Sequence, residues 1–475
     1  MSKFYVTTSI PYVNAAPHIG FALEAIQADV LARYHKQKGK DVFFLTGADE
    51  HGVKIVRAAE AAGKTPREFV DEISEKFMAL KMTLNLSWDD FIRTSDQKRH
   101  WPGAQKLWLK LAEAGKIYKK KYRGLYCVGH EAFITEKDLV DGKCRDHKKE
   151  PEIIEEENWF FKLSDYTEEI KSKIESGELR ILPEGRKNEI LSLINEGLED
   201  VSFSRPRKDL SWGVPVPNDP DHTMYVWCDA LSNYISAIGY ADDEKNFNKW
   251  WPADIHVIGK DILRFHAAIW PGMLLAAGLE LPKTVFVHGF ITAQGQKMSK
   301  SLGNVIDPFE IAEKYGTDAL RYYLLREIPS SGDGNFTYEK FEERYNADLA
   351  NGLGNFVSRV LTLAEKSDVK SLPKNFETAI KETEKNIEKF IGKFNLNEAL
   401  AAIWQLIVLG DKYVDDKKPW ILSADSAEFK ETIGSLLFLI SEISRLSWPF
   451  FPETSEKIFK LIENKKSGTL FPRLQ

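Results

Sequence analysis

The sequence predicts an α/β fold: a parallel sheet split by an insertion and followed by an all-helical region. Three observations predict it. The first 50 residues alternate strand, helix, strand. A second strand–helix–strand unit recurs far downstream, from "IHVIG" to "TVFVHGFI". From about Tyr338 onward strand-like runs disappear, and helical periodicity continues to the end.

The elements follow in order. "KFYVTTSI" is rich in β-branched and aromatic residues, as a buried strand requires. Ile19, Ala22, Leu23, Ile26, Val30 and Tyr34 recur at helical spacing and predict one apolar face between Ile19 and Tyr34. "DVFFLTG" reads as the next strand. Such a unit implies a parallel sheet with a right-handed crossover. Residues 117–225 hold Lys-rich, Glu-rich and Pro-rich pieces with short strands, the pattern of an insertion. "ILRFHAAIWPGMLLAAG" supplies the helix of the second unit. The tail opens with "KFEERYNADLANGLGNFVSRVLTLAEK" and reads as roughly five amphipathic segments. The expected domains are therefore 1–116, 117–225, 226–337 and 338–475. Neither an internal repeat nor a low-complexity tract is visible.

Bulk properties narrow the function. The 475 residues suffice for roughly two to four domains. Charged residues make up 29% and hydrophobic residues 43%, an ordinary globular balance. A net charge of −6 argues against general affinity for nucleic acid, so any RNA contact must use local patches. No apolar run is long enough to span a bilayer, and "MSKFYVTTSI" lacks the pattern of a secretory leader. Three cysteines, an odd count, fit a reducing cytoplasm better than a disulfide framework.

Two stretches carry chemistry. "SIPYVNAAPHIG" ends a strand and starts a helix, where open parallel sheets bind ligands. Gly20 lets a flat ring approach the backbone, and exposed N–H groups at the helix start favour an anion. His18 either adds a donor there or merely caps the helix. "GQKMSKSLGN", residues 295–304, places two lysines and two serines within five positions between glycines. That composition suits a loop closing over phosphates, or a solvated loop tip; its place after a second strand–helix–strand unit favours the clamp.

Together these stretches resemble the two signatures of the class I aminoacyl-tRNA synthetases, "HIGF" at 18–21 for HIGH and "KMSKS" at 297–301. "PYVNAAPHIG", "GADEHG", "YVWCDALSNYI", "GKDILRFHAAIWP" and "DDKKPWI" resemble the methionyl-tRNA synthetase family over nearly the whole chain. The resemblance implies a split Rossmann-type sheet with a zinc-knuckle insertion and a helical anticodon-binding domain. It implies a methionine–tRNA ligase that forms methionyl-adenylate from L-methionine and ATP, then charges tRNA(Met) with its CAU anticodon. A substrate carboxylate with an ordinary pKa of about 4 is already ionised, so the protein must position groups and neutralise charge rather than remove a proton. By resemblance His18 and Gly20 hold ATP, with Phe21, Met298 and Ser299 beside it. Lys297 and Lys300 stabilise pyrophosphate, Gly259, Lys260 and Asp261 border the adenosine, and Mg²⁺ accompanies ATP. Phe21 departs from the family's usual His and removes one imidazole donor.

The family's methionine pocket maps onto Ile10, Tyr12, Trp227, Ala230, Leu231, Tyr234, His266, Ile269 and Trp270. Aromatic edges suit a thioether, and Tyr12 and His266 have polar tips that could meet the sulfur. Trp227 and Tyr234 lie seven residues apart, and His266 and Trp270 four, so each pair shares a face if its segment is helical. Asp49 would take the ammonium, and Arg205 would stand near the carboxylate. Shape discriminates by only about 1–3 kcal/mol per methylene, which makes homocysteine a hazard.

Cys127-x2-His130 and Cys144-x2-His147, separated by 13 residues, have ligand types and spacing suited to a closed structural zinc site. The alternative is a metal-free knuckle. Asn355 and Arg359 share a helix face, and Trp420 follows Pro419 at a helix end; by resemblance all three read the anticodon. "KIYKKKYRG", residues 116–124, is either an acceptor-stem contact or a solvated turn. The chain ends soon after the helical region, and a monomer is expected.

Rival readings are a sister ligase for cysteine or a branched aliphatic amino acid, a small-molecule nucleotidyltransferase, and a non-catalytic tRNA-binding paralogue. Branched-chain enzymes need a larger editing insertion, and a cysteine enzyme would place zinc in the substrate pocket.

Overall fold

The computed structural model describes the chain except residues 1, 130–131, 135, 146–147, 299–302, 370–371 and 465, and for residues 122, 132, 133 and 297 the backbone alone. The chain forms two compact units. One holds Met1–Pro17, Gly39–Ala79 and Trp88–Val287; the other holds His18–Lys38, Leu80–Ser87 and His288–Gln475.

The first unit is built on a six-stranded sheet in the order Asp90–Arg93, Asp41–Ala48, Lys3–Thr8, Ile255–Gly259, Thr284–His288, Arg180–Leu182. Lys3–Thr8 pairs in parallel with Asp41–Ala48 on one side and Ile255–Gly259 on the other. The strand order reverses there, and at such a switch point ligands collect outside the carboxyl ends. The segments after these strands begin at Ser9, Asp49 and Lys260. One strand was not anticipated: Arg180–Leu182, from the middle of the expected insertion, joins the sheet edge in parallel with Thr284–His288.

The rest of the insertion forms an antiparallel sheet in the order Val201–Ser202, Glu152–Phe161, Ile117–Cys127, Ala132–Ile134. Its register sets Lys121 opposite Glu157 and Arg123 opposite Glu155, while Lys119 pairs with Asp219 at 2.8 Å. The basic stretch is therefore a strand, not a turn, and its charge faces an acidic partner strand, which favours pairing.

In the second unit, helix Ile19–Gln37 is buried almost all round, not along one face. Its buried carboxylate at Asp29 is paired. Asp29 receives Arg33 at 2.8 Å, Arg321 at 2.7 Å and the Ser87 amide at 2.7 Å. Arg321 also donates to the carbonyls of Leu84 and Phe450. A buried charge is tolerated only when paired in this way. The network fixes the helix that begins beside His18. The last described strand is Gly334–Phe336. Beyond it the described residues form one continuous helical run through Tyr338–Arg344, Tyr345–Gly354 and Asn355–Ala364, then helices Glu377–Ile391 and Leu396–Lys417, a short 3₁₀ turn Pro419–Ile421, and helices Ala427–Ser447 and Pro452–Glu463. Gly410 permits a close crossing, since a Cβ there would sit 2.2 Å from the Phe356 ring.

Candidate active site

In the second unit, His18 occupies the N-cap of helix Ile19–Gln37, and its Nδ1 accepts the Gly20 amide at 3.0 Å. An amide can only donate, so the ring proton of the neutral imidazole sits on Nε2. Capping and donation are thus compatible: one nitrogen serves the helix, and the other carries an N–H. A Cβ on Gly20 would lie 2.8 Å from His18 Cε1 and 4.0 Å from Met298 Cε. The Ile19 amide donates to the Ile306 carbonyl at 3.1 Å. The helix start and the chain on both sides of residues 299–302 are therefore brought together. The second loop leaves a tight hairpin, in which Thr292 pairs with Lys297 and Ala293 with Gln296. Gln294 and Gly295 turn it, both with positive φ, as a two-residue hairpin requires. Ser299 and Lys300 lie outside the described residues, as does the side chain of Lys297. Phe21 is buried in the first helical turn.

The first unit contains the expected pocket residues. Gly259, Lys260 and Asp261 follow the Ile255–Gly259 strand into a short 3₁₀ turn. Asp49 follows the neighbouring strand; its amide donates to Pro11 and its carbonyl accepts from Val13, so the loops carrying Ile10, Tyr12 and Asp49 are tied together. Trp227, Ala230 and Leu231 lie on the short helix Val226–Leu231. Tyr234 lies on a separate one, Asn233–Ser236, so the expected common face of Trp227 and Tyr234 does not form. Trp227 instead stacks on Phe265, centroids 3.6 Å apart.

His266 and Ile269 fall in a π-helical turn, Phe265–Ile269, immediately before helix Trp270–Ala276. Pro271 explains the widened turn: it lacks an N–H, and its ring crowds the carbonyl four residues back. Tyr234 Oη lies 2.7 Å from His266 Nε2, and His266 Nδ1 lies 3.0 Å from the Ile262 carbonyl. A carbonyl only accepts, so Nδ1 carries the proton and the tyrosine donates to Nε2. Burial pushes the His266 pKa down to about 4, and the ring is neutral. Tyr12 Oη donates to the His51 carbonyl at 2.6 Å. The polar tips of Tyr12 and His266 are both engaged by the protein in this structure.

Arg205 lies on strand Ser204–Pro206, donates to Glu156 at 2.8 Å and covers the Tyr126 ring at 4.4 Å. It lines a cavity of about 430 Å³ with Tyr225, Arg264, Phe265 and Ile269. Cys127 and Cys144 are both buried and share one small cluster with Ile134. His130 and His147 lie outside the described residues, and among the described residues no group of three potential metal ligands occurs. In the second unit, Asn355 is exposed one turn before Arg359. Arg359 meets Asp411 and Asp415, each at 3.1 Å, and Trp420 is 51% exposed.

Sequence reasoning missed two buried clusters. Asp229 is held by His51 at 2.5 Å and His100 at 2.6 Å. His256 contacts Thr7 at 2.8 Å and Trp270 at 3.3 Å. These residues are scattered through the chain and share no spacing signal; only the polar character of His51 in "GADEHG" and Asp229 in "YVWCDALSNYI" hinted at them.

The comparisons agree with this arrangement. Residues 4–147 and 134–361 match the family described as tRNA synthetases class I (M), and residues 374–473 match the anticodon-binding domain of tRNA ligase. The chain is 44% identical to the methionine–tRNA ligase of Thermotoga maritima over 97% of its own length and 75% of that protein's. It is 42% identical to the Brucella suis enzyme over 97% and 92%. A Mycobacterium tuberculosis methionyl-tRNA synthetase in complex with methionyl-adenylate superposes with a TM-score of 0.93 at 39% identity, covering both chains fully. No described helix is long and apolar enough to cross a membrane. The chain belongs to the methionyl-tRNA synthetase family of class I, and its activity is that of a methionine–tRNA ligase.

Proposed function

We propose that the reaction proceeds by placement and charge neutralisation, with each group in the role its motif implies. His18 Nε2–H and the backbone at Gly20 bind ATP, with Phe21, Met298 and Ser299 alongside. Lys297 and Lys300 neutralise the pyrophosphate as the methionine carboxylate attacks the α-phosphate, and Mg²⁺ arrives with ATP. Gly259, Lys260 and Asp261 border the adenosine. Asp49 takes the substrate ammonium and Arg205 stands near its carboxylate. Ile10, Tyr12, Trp227, Ala230, Leu231, Tyr234, His266, Ile269 and Trp270 enclose the thioether. The observation that carries this reading is the convergence of the two signature stretches: the Ile19 amide on the Ile306 carbonyl, and Met298 beside Gly20. The methionyl-adenylate bound by the mycobacterial relative supports the same intermediate here.

The finer features follow from the same reading. Asn355, Arg359 and Trp420 read the CAU anticodon of tRNA(Met), supported by the exposure of Asn355 and Trp420 in the helical region. Cys127, His130, Cys144 and His147 hold a structural zinc, supported by the two thiols meeting in one cluster; zinc there would close the insertion and take no part in activation. The domains divide at 1–116, 117–225, 226–337 and 338–475, and the enzyme works as a cytoplasmic monomer. Pyrophosphate exchange into ATP, run with each amino acid, tests the activity. Exchange with methionine alone supports it; exchange with cysteine or leucine, or none, refutes it. Zinc is tested by metal analysis of the purified protein and of a Cys127→Ser variant.

A further inference from the structure

Asp49 is followed by a second carboxylate, Glu50, for which the proposed reaction has no use. Glu50 is fully buried. Its Oε1 accepts Ser74 Oγ at 2.5 Å and Arg93 Nε at 2.6 Å, and its Oε2 accepts the Ser95 hydroxyl. Its amide donates to Thr94 Oγ1 at 2.9 Å, and its carbonyl accepts the indole N–H of Trp212 at 2.6 Å. Every polar group of the residue therefore has a partner. The partners are anchored in turn. Arg93 also pairs with Asp71 at 2.5 Å, and Arg67 donates to the hydroxyl and the carbonyl of Ser95 at 2.9 and 3.1 Å. Arg67, Asp71 and Ser74 lie on helix Pro66–Thr83, Arg93 ends strand Asp90–Arg93, and Trp212 comes from late in the expected insertion. The Trp212 ring stands edge-on to His51 at 5.6 Å, with the Arg67 guanidinium over it at 5.3 Å.

A buried carboxylate is costly unless it is paired and hydrogen-bonded. What it adds here over a neutral side chain is fixity, because three donors converge on it and two further bonds hold its backbone. The effect reaches Asp49 through the chain. The peptide between the two residues is held at both ends, its oxygen by the Val13 amide at 3.1 Å and its N–H by Thr94. Asp49 itself is extended, bridged to Tyr12. Neighbouring side chains of extended backbone point to opposite faces, so seating Glu50 among its donors turns Asp49 to the other face. We infer that Glu50 is a positioning residue for ammonium recognition: its seat among Ser74, Arg93 and Ser95, with Trp212 on its carbonyl, fixes the direction of the Asp49 carboxylate. Through Trp212 the insertion has a share in that site. This rests on the proposed role of Asp49 in taking the substrate ammonium.

Two variants each loosen a different hold. Glu50→Gln keeps the side-chain length but replaces one acceptor oxygen with an N–H2 group. Trp212→Phe keeps a ring beside His51 and Arg67 and removes only the N–H; the residue is partly exposed, so the fold tolerates the change. Pyrophosphate exchange is measured with L-methionine, and its inhibition by 4-methylthiobutanoate, the analogue without the ammonium, is the reference. The expected result is a rise in the methionine KM of about tenfold for Glu50→Gln and about threefold for Trp212→Phe, with the KM for ATP and the inhibition constant of the analogue unchanged. Asp49→Asn tests the premise and should show the same split, larger. If Asp49→Asn shows it while the methionine KM of the other two variants stays level, or rises by the same factor as the inhibition constant, the inference is overturned and the ammonium role of Asp49 stands. If Asp49→Asn shows no split, the ammonium role is refuted and the inference falls with it. Should Glu50→Gln fail to fold, Trp212→Phe decides by the same criterion.

Discussion

Asp229 Oδ2 lies 2.5 Å from His51 Nδ1. Its second oxygen takes His100 Nε2, and His100 in turn meets Ser236 at 2.9 Å. Asp229 shares a short helix with Trp227 and Leu231, while the carbonyl of His51 holds the Tyr12 hydroxyl. The carboxylate therefore joins the loop bearing Asp49 to the helix bearing Trp227, Ala230 and Leu231. Burial would raise its pKa, but His51 and His100 outweigh burial and lower it. Asp229→Asn leaves one acceptor for two imidazoles. The expected cost is about 3 kcal/mol in urea unfolding, with a raised KM for methionine and an unchanged KM for ATP. An unaltered methionine KM in a fully folded variant would exclude the positional role.

Gly20 governs the geometry of His18. A Cβ there would press on the imidazole at 2.8 and 2.9 Å. The ring can rotate away, so the fold survives while the capping bond is lost. For Gly20→Ala, pyrophosphate exchange should fall by about 10²-fold, the scale of one lost transition-state donor. The melting temperature should change little, because His18 is exposed. Unchanged exchange would remove His18 from the activation step.

Phe21 stands where the family usually has His, yet it is only 9% exposed. An imidazole in its place would enter the packed first turn of the helix. Phe21→His is therefore expected to raise exchange less than about threefold and to lose about 1–3 kcal/mol of stability, the range for an imperfect core substitution. A tenfold gain would mean that an imidazole at position 21 reaches the triphosphate as a second donor.

Two buried carboxylates of the second unit titrate in opposite senses. Burial pushes Asp318 up from 3.8 to about 6, although the Thr454 amide donates to it. Its proton is held more tightly in the folded state. The stability it confers is complete below the unfolded pKa of 3.8 and is lost as pH rises through 6. Moving from 3.8 to about 6 is worth at most about 3 kcal/mol. Asp29 is the reverse case. Burial opposes its ionisation, but Arg321 and Arg33 hold its pKa below the usual value, so its contribution is lost as pH falls below the unfolded pKa. Asp318→Asn, which keeps an acceptor for Thr454, should be more stable than wild type at pH 8 and equal to it near pH 4. Equal stabilities at both pH values would show that Asp318 ionises freely.

The sequence revealed the layers, the two signature loops and the helical tail because each depends on local periodicity or contiguous motifs. What it concealed depends on distant pairing. Strand Arg180–Leu182 enters the sheet only because Thr284–His288 offers an edge. The basic strand is neutralised by a glutamate-rich partner more than 30 residues away along the chain. The tips of Tyr12 and His266 turn inward because backbone carbonyls at His51 and Ile262 capture them. Spacing along a chain carries no record of such captures. The same holds for Arg359, whose helical spacing from Asn355 was legible while its two aspartate partners were not.

Those aspartates bear on the anticodon reading proposed for Arg359. Asp411 and Asp415 lie one turn apart on helix Leu396–Lys417 and hold the Arg359 guanidinium from two sides. Burial and the charge of Asp415 raise the pKa of Asp411 against the pull of Arg359. An arginine so held would lose little side-chain freedom on meeting a base, but its charge is already compensated, so the part proposed for it in recognition is directional. Trp420, half exposed on the turn after the helix, has no such restraint and offers a face for stacking. Stacking on one base is worth about 1–3 kcal/mol. Trp420→Ala should therefore raise the aminoacylation KM for tRNA by about 5- to 150-fold, leave pyrophosphate exchange unchanged and hardly move the melting temperature. Asp411→Asn with Asp415→Asn should loosen Arg359, weakening discrimination between cognate and anticodon-substituted tRNA while overall affinity is kept or increased by the lost negative charge. If the double variant discriminates as wild type does, the aspartates stabilise the helices alone; if Trp420→Ala charges tRNA normally, the anticodon is read elsewhere.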